Sequence, residues 1–285
     1  MAFIDHIIAC NRHDLSRFRP FILEDCVVGW IRHDVAQRLA PYPEVFRVGR
    51  EAVTLHPLLN TPEVRTQAVA AVVTDLHQAW GTPAPRGEMY RVAGQFSAPP
   101  LMMIDRGVVS LFGIRAYGIH VNGLVRHPEG PHLWIARRAP DKSVAPGALD
   151  NMVAGGQPGA LSLFDNLQKE AAEEADIPAA LAATARPVGA IAYCMEDEWG
   201  LKPDVMFCYD LEVPADFVPR NTDGEIDLFT LMPVPEVARL VRDTTRFKFN
   251  VTLVIIDFLI RHGHLSPDAE PDYFDLVAGL RRGVK

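Results

Sequence analysis

Several absences narrow the field before any motif is read. The four cysteines, Cys10, Cys26, Cys194 and Cys208, contain no C-x-x-C pair, so neither a zinc ribbon nor a thioredoxin-type redox centre is encoded. Their sparse spacing fits a reducing, cytoplasmic setting. The longest apolar run, residues 251–260, is interrupted by Thr252 and Asp257 and is too short to span a bilayer. Positive charge is scarce, with 28 Lys and Arg against 36 Asp and Glu and a net charge of −8. That balance argues against a sequence-independent nucleic-acid surface, which needs basic patches. A phosphate-bearing ligand would have to be held by local cations or a metal rather than steered by the whole molecule. The P-loop, zincin and α/β-hydrolase patterns are all missing. There is no internal repeat and no low-complexity segment.

The 285 residues suffice for roughly two domains with their own cores. Residues 1–112 read as a smaller α+β accessory unit, with a helix expected from Pro62, where Val64, Ala68, Val72 and Leu76 recur at near-helical spacing. Pro- and Gly-rich breaks at 81–87 and 98–100 mark loops. From about residue 113 the character changes. Residues 117–126 and 133–138 read as paired strands around a turn containing Pro128 and Gly130, and further strands are expected near 188–194, 205–213 and 228–232. Helices are expected at 235–242 and 247–261, the second closed by Gly263. This alternation implies a mixed α/β sheet flanked by helices, with a C-terminal helical tail, over residues 113–285.

The most informative stretch is residues 155–177. A glycine-bearing loop runs into a short helix carrying Glu170, Glu173 and Glu174, which share one arc of the helix beside an apolar stripe of Phe164, Leu167, Ala171 and Ala175. In isolation E-x-x-E-E is an ordinary solvated face. Here Ser162 and Asp165 resemble a capping box and Pro178 stops the helix, so the acids occupy its last turns, where they oppose the helix dipole. A hard divalent cation with oxygen ligands would supply the missing compensation.

At these residues the chain resembles a Nudix box. Gly155 takes the first glycine position, and Lys169 through Ile177 takes the Arg-Glu-apolar-x-Glu-Glu-x-Gly-apolar end. Three departures stand out: Leu161 stands where a Glu is expected, Lys169 replaces the Arg, and Asp176 replaces the last Gly. The first two are read as a joint replacement of a Glu–Arg pair that supports the loop. Stretches around Trp134, Pro146, Tyr209, Asp223 and Ile255, with Cys10-Asn11, Val28-Gly-Trp30 and Leu111 to Ile114 in the first part, resemble the branch fused to fungal thiamine pyrophosphokinase and its stand-alone relatives.

The resemblance implies a Nudix α/β/α sandwich with a mixed sheet, preceded by the smaller α+β domain. It implies cleavage of a diphosphate linked to an organic group, here thiamine diphosphate or its oxidised forms to the monophosphate. Glu170, Glu173 and Glu174 would bind Mg²⁺ or Mn²⁺, with Glu173, Glu174 or Glu225 in the catalytic roles. Arg138 and Lys142 follow a strand and precede the loop, and with Gly155 and Gly156 they are the expected diphosphate-binding residues. His120 reads as a sheet-face residue, and His262 with His264 as a helix end. The expected partner is a small-molecule diphosphate, with a homodimer left open and neither nucleic acid nor membrane involved. An ADP-ribose or other nucleoside diphosphate hydrolase, a ligand-binding sensor without turnover, and an N-terminal interaction module on a Nudix scaffold stay open as alternatives.

Overall fold

A computed structural model of the chain describes residues 2–283. In the first part α1 (Phe3–Cys10) precedes β1 (Phe18–Leu23), β2 (Cys26–Arg32), α2 (His33–Leu39), β3 (Phe46–Val48), β4 (Val53–Leu55), α3 (Pro62–Trp80), β5 (Met89–Val92) and β6 (Met102–Asp105). The first four strands form a sheet in the order β2-β1-β4-β3, and β5 with β6 forms a separate antiparallel pair. Helix α3 begins where expected: the Thr61 hydroxyl accepts the Val64 N–H, Pro62 occupies the first turn, and Gly81 closes the helix. A core around Phe21, Phe46 and Phe112 joins these elements, α1 excepted.

The second part contains β7 (Tyr117–His127), β8 (Gly130–Arg138), β9 (Leu149–Asp150), β10 (Val153–Gly156), α4 (Leu163–Ala175), α5 (Ala179–Ala182), β11 (Arg186–Ala192), β12 (Met195–Glu196), β13 (Leu201–Lys202), β14 (Val205–Glu212), β15 (Ile226–Pro233), α6 (Val234–Asp243), α7 (Val251–Arg261) and α8 (Tyr273–Gly279). The main sheet runs β11-β14-β7-β8-β15, with β10 on β7 and β9 on β8. It is mixed, because β14 pairs parallel with β7 while β11, β8, β10 and β15 pair antiparallel with their neighbours.

Side chains alternate across this sheet, as strand geometry requires. Ile119, Val121 and Val125 of β7 pack with Leu167, Ala171 and Ala175 of α4 on one face. Leu124 points the other way, into a larger core that includes α6, α7 and α8. Helix α7 is apolar on all sides and buried along nearly its whole length. It starts at Val251 rather than at 247, because Phe247 bridges to Leu149 and the Lys248 N–H donates to the Leu149 carbonyl. Phe164 departs from the expected apolar stripe: it lies in the first turn of α4, beyond the sheet, and is 52% exposed.

Helix α1 lies outside the core of the first part. Phe3, Ile7 and Cys10 enter the core of α6, α7 and α8, the buried His6 Nε2 meets the Val241 carbonyl at 2.7 Å, and Asn11 Nδ2 donates to the Gly279 carbonyl. Ile7→Ala should therefore cost about 2–4 kcal/mol in denaturant unfolding. Amide exchange in that variant should accelerate in α7 and leave α3 unchanged; the reverse pattern would show that α1 belongs to the first core.

Candidate functional site

The site is organised by β10 and the loop into α4. At the helix start, Ser162 Oγ accepts the Asp165 N–H at 3.1 Å and lies 2.6 Å from Asp165 Oδ2. Gln157 Nε2 donates to the Leu161 and Pro158 carbonyls, and Asn166 Nδ2 to the Gly156 carbonyl at 2.8 Å. These two amides brace the loop, a role the sequence reading had given to residues 161 and 169. Asp176 ends the helix at φ +53°, a left-handed position that explains the glycine usual there and that Asp tolerates better than most residues.

Gly155 and Gly156 point to opposite sides of β10. A Cβ on Gly155 would overlap the Glu170 carboxylate, and one on Gly156 would overlap the Tyr90 hydroxyl. The absence of side chains lets α4 press on one side of the strand and the first part of the chain on the other.

The three glutamates of α4 occupy three different environments. Glu174 is 3% exposed, and its Oε2 accepts the Ala154 N–H at 2.8 Å. Burial raises its pKa well above the ordinary carboxylate value, and the charges of Asp150, Glu170 and Glu225 add to the effect. No ion pair balances it among the described residues. Glu170 is largely buried, which pushes its pKa up, while Lys169 Nζ at 3.2 Å opposes the shift. Glu173 is half exposed and takes the same ammonium at 2.6 Å. Lys169 thus rests on two of the three expected metal ligands and does not reach the loop. As placed, no three His, Cys, Asp or Glu side chains among the described residues converge on one point. The donor set nevertheless fits a hard divalent cation, since it consists of carboxylate oxygens and one of them is sealed without a counter-charge.

A cavity of about 740 Å³ opens on the other side of β10. The structure brings five expected residues to its wall: Arg138, Lys142, Gly155, Gly156 and Glu225. Glu170, Glu173 and Glu174 do not line it. Lys142 Nζ meets Glu225 Oε2 at 2.6 Å. Burial pushes Glu225 up, but Lys142, with Arg106 and Arg138 beyond, holds it below the usual carboxylate range. Arg138 is less available than its sequence position suggested. It is buried, donates to Asp150 Oδ2 at 3.0 Å and to the Val144 carbonyl at 3.1 Å, and shares Asp150 with Lys248.

The first part of the chain supplies cavity residues that carry no motif. Arg106 pairs with Glu88 at 2.7 Å, and Arg86 donates to Ser143 Oγ at 3.1 Å, beside Lys142. Tyr90 presses on Gly156. Their positions depend on tertiary packing across β10, and only the glycine pair hints at them.

A family model described as a domain of unknown function (DUF4743) matches residues 2–116. Nudix hydrolase 24, chloroplastic, of Arabidopsis thaliana is 44% identical over 285 residues, covering 99% of this chain and 78% of that protein. Nudix hydrolase 20, chloroplastic, of the same plant is 42% identical, covering 98% and 77%. The uncharacterized protein YJR142W of Saccharomyces cerevisiae is 32% identical over 211 residues, covering 69% of this chain and 61% of its own length.

The burial of Glu174 has a measurable signature. A carboxylate whose folded pKa is raised favours the folded state fully below its unfolded value of about 4.3, and that contribution is lost as pH rises through the folded value. In chelator, Glu174→Gln should be more stable than the parent at pH 8, by roughly 1–2 kcal/mol, because the amide avoids the buried charge. The gain should vanish near pH 4. Equal melting temperatures at both pH values would show that Glu174 is not charged and sealed.

Proposed function

The chain belongs to the Nudix hydrolases, and from that premise we propose that it cleaves a diphosphate linked to an organic group, using a divalent cation held by Glu170, Glu173 and Glu174. The observation that carries this reading is the pairing of an uncompensated buried carboxylate, Glu174, with a cation-lined cavity across two glycines. A bound Mg²⁺ or Mn²⁺ would neutralise phosphate charge and lower the pKa of the attacking water. The remaining work falls to the chain's own groups. Lys142 holds phosphate oxygens as a point charge, released from Glu225 when substrate arrives. Glu225, kept ionised by its cationic neighbours, accepts the proton from water, with Glu173 or Glu174 as the other carboxylates suited to that role. Arg138, already bound to Asp150, orients the cavity wall and presents its remaining donors to the diphosphate.

For the organic half we propose thiamine diphosphate or its oxidised forms, released as the monophosphate. The resemblance of the sequence to the thiamine-linked branch supports this. So does the presence of Asp197, Asp204 and the indole of Trp199 on the same cavity wall, groups that suit a cationic heteroaromatic ring. ADP-ribose is the alternative substrate. A non-catalytic sensor is the second reading, favoured by one observation: Lys169 already neutralises Glu170 and Glu173. The accessory and hydrolase parts are proposed to divide between residues 112 and 113, with α1 as the exception that packs on the hydrolase core, and a cytoplasmic setting is in keeping with four free thiols.

Activity should require Mg²⁺ or Mn²⁺, and Glu174→Gln should lose about 10²-fold or more in rate while remaining folded. A competitive panel should rank thiamine diphosphates above ADP-ribose. Full turnover in excess chelator would end the metal assignment, and turnover of ADP-ribose alone would select the alternative substrate.

Glu225→Gln keeps shape and removes charge, so kcat should fall by roughly 10²-fold with KM changed little. An unchanged kcat across the pH range would assign the proton to another carboxylate.

A further inference from the structure

Behind the cavity lies a buried chain of polar groups that the reaction described above does not use. Asp210 on β14 accepts from Arg261 Nη1 at 2.6 Å and from Asn122 Nδ2 at 2.9 Å, and sits 2.8 Å from His262 Nε2. Burial pushes this carboxylate up, but the hydrogen bonds from Arg261, His262 and Asn122 hold it below its usual range. It is therefore an acceptor only.

That one fact sets the direction of every bond that follows. Asn122 must turn its NH₂ toward Asp210, which leaves its carbonyl oxygen for Asn151 Nδ2 at 2.8 Å. Asn151 must then present its own carbonyl oxygen to His120 Nδ1, at 2.9 Å. An amide oxygen cannot donate, so His120 carries its proton on Nδ1 and its Nε2 is a bare lone pair. His120 is 4% exposed, lines the cavity, and has no chain partner at Nε2 among the described residues. Nor is Nε2 one of the sealed, unpaired polar atoms, which leaves it facing the cavity.

A lone pair in this position repels phosphate oxygens and attracts a hydrogen-bond donor. It is also a weak base, since burial, with Lys248 and Arg138 nearby, brings the pKa of His120 down to about 4. A group so hard to protonate holds a donor in place without removing its proton.

We propose that His120 is a specificity residue, its Nε2 accepting a hydrogen bond from an N–H or O–H donor on the organic half of the diphosphate. This rests on the cavity being the diphosphate site. The residue reads the leaving group and takes no part in attack at phosphorus, so its removal acts on binding of donor-bearing substrates and spares a substrate that has no donor.

The test compares thiamine diphosphate and ADP-ribose, which carry such donors, with methyl diphosphate, which has none. His120→Phe should raise KM roughly tenfold to hundredfold for the preferred donor-bearing substrate, with kcat within about threefold of the parent. KM for methyl diphosphate should stay the same, and His120→Gln, which restores an acceptor, should recover most of the loss. Two-bond ¹H–¹⁵N spectra of the parent should show the Nδ1–H form of His120, with the Nε2 resonance shifting on addition of thiamine monophosphate or AMP. These spectra decide the matter even if the Phe variant does not fold. An Nε2–H form, an unmoved Nε2 resonance, or equal losses on all three substrates would overturn the proposal. A parent enzyme that cleaves none of them would overturn the diphosphate reading itself, and this inference with it; normal cleavage with unaltered His120→Phe kinetics would overturn this inference alone.

Discussion

Residues 155 and 156 have no side chains, and three parts of the protein meet in the space this leaves. Helix α4 brings the Glu170 carboxylate against one side of β10, and Tyr90 brings its hydroxyl against the other. One residue earlier, the Ala154 N–H reaches through to Glu174. Close approach of backbone and polar side chains is the use of glycine least visible from conformational angles alone. Here it sets the thickness of the wall between an acidic helix and a cationic cavity. Of the three glutamates on the helix side, Glu174 alone lacks a counter-ion among the described residues, which disfavours its charged form and favours a cation that would relieve it.

The buried polar groups of the second part follow the same logic at greater depth. Asp150 is shared by Arg138 and Lys248, and Asp257 by Arg261 and Arg281. Each carboxylate sits between two cations, and for Asp150 the neighbouring cations hold its pKa below the ordinary value despite its burial. Such pairs contribute little net stability compared with apolar packing, and breaking one partner away is costly. They do fix orientation. Asp150 fixes the cavity-facing arginine, while Asp210, through two amides, fixes a ring on the opposite side of the sheet from α4.

The parts of this arrangement that were legible in the sequence are the local ones. The capping hydroxyl of Ser162, the run of alternating residues in β7 and the stop at Pro178 each act within a few residues, and strands and helices fall close to their expected places. The acidic triad was legible as a group, yet its division into sealed Glu174, largely buried Glu170 and half-exposed Glu173 was not. That division depends on how far the sheet overhangs the helix, which helical periodicity does not encode. Phe164 misled for the same reason. Asp176, a departure from the glycine of the pattern, occupies the left-handed cap that the glycine would fill. Arg106, Tyr90 and the orientation of His120 depend on contacts between segments far apart in the chain, and no local pattern marks them.

Helix α1 has a consequence for how the molecule comes into being. Its apolar face is completed in a core that includes α6, α7 and α8, and its bonds from His6 to Val241 and from Asn11 to Gly279 span 235 and 268 positions of the chain. During synthesis the intervening sheet and α3 can consolidate first, while Phe3 and Ile7 wait as an adhesive surface on the nascent chain. Closing so long a loop is slow, and until it closes the apolar face of α1 is open to other polypeptides. Loss of α8, by nonsense mutation or proteolytic trimming, would leave part of that surface unmatched.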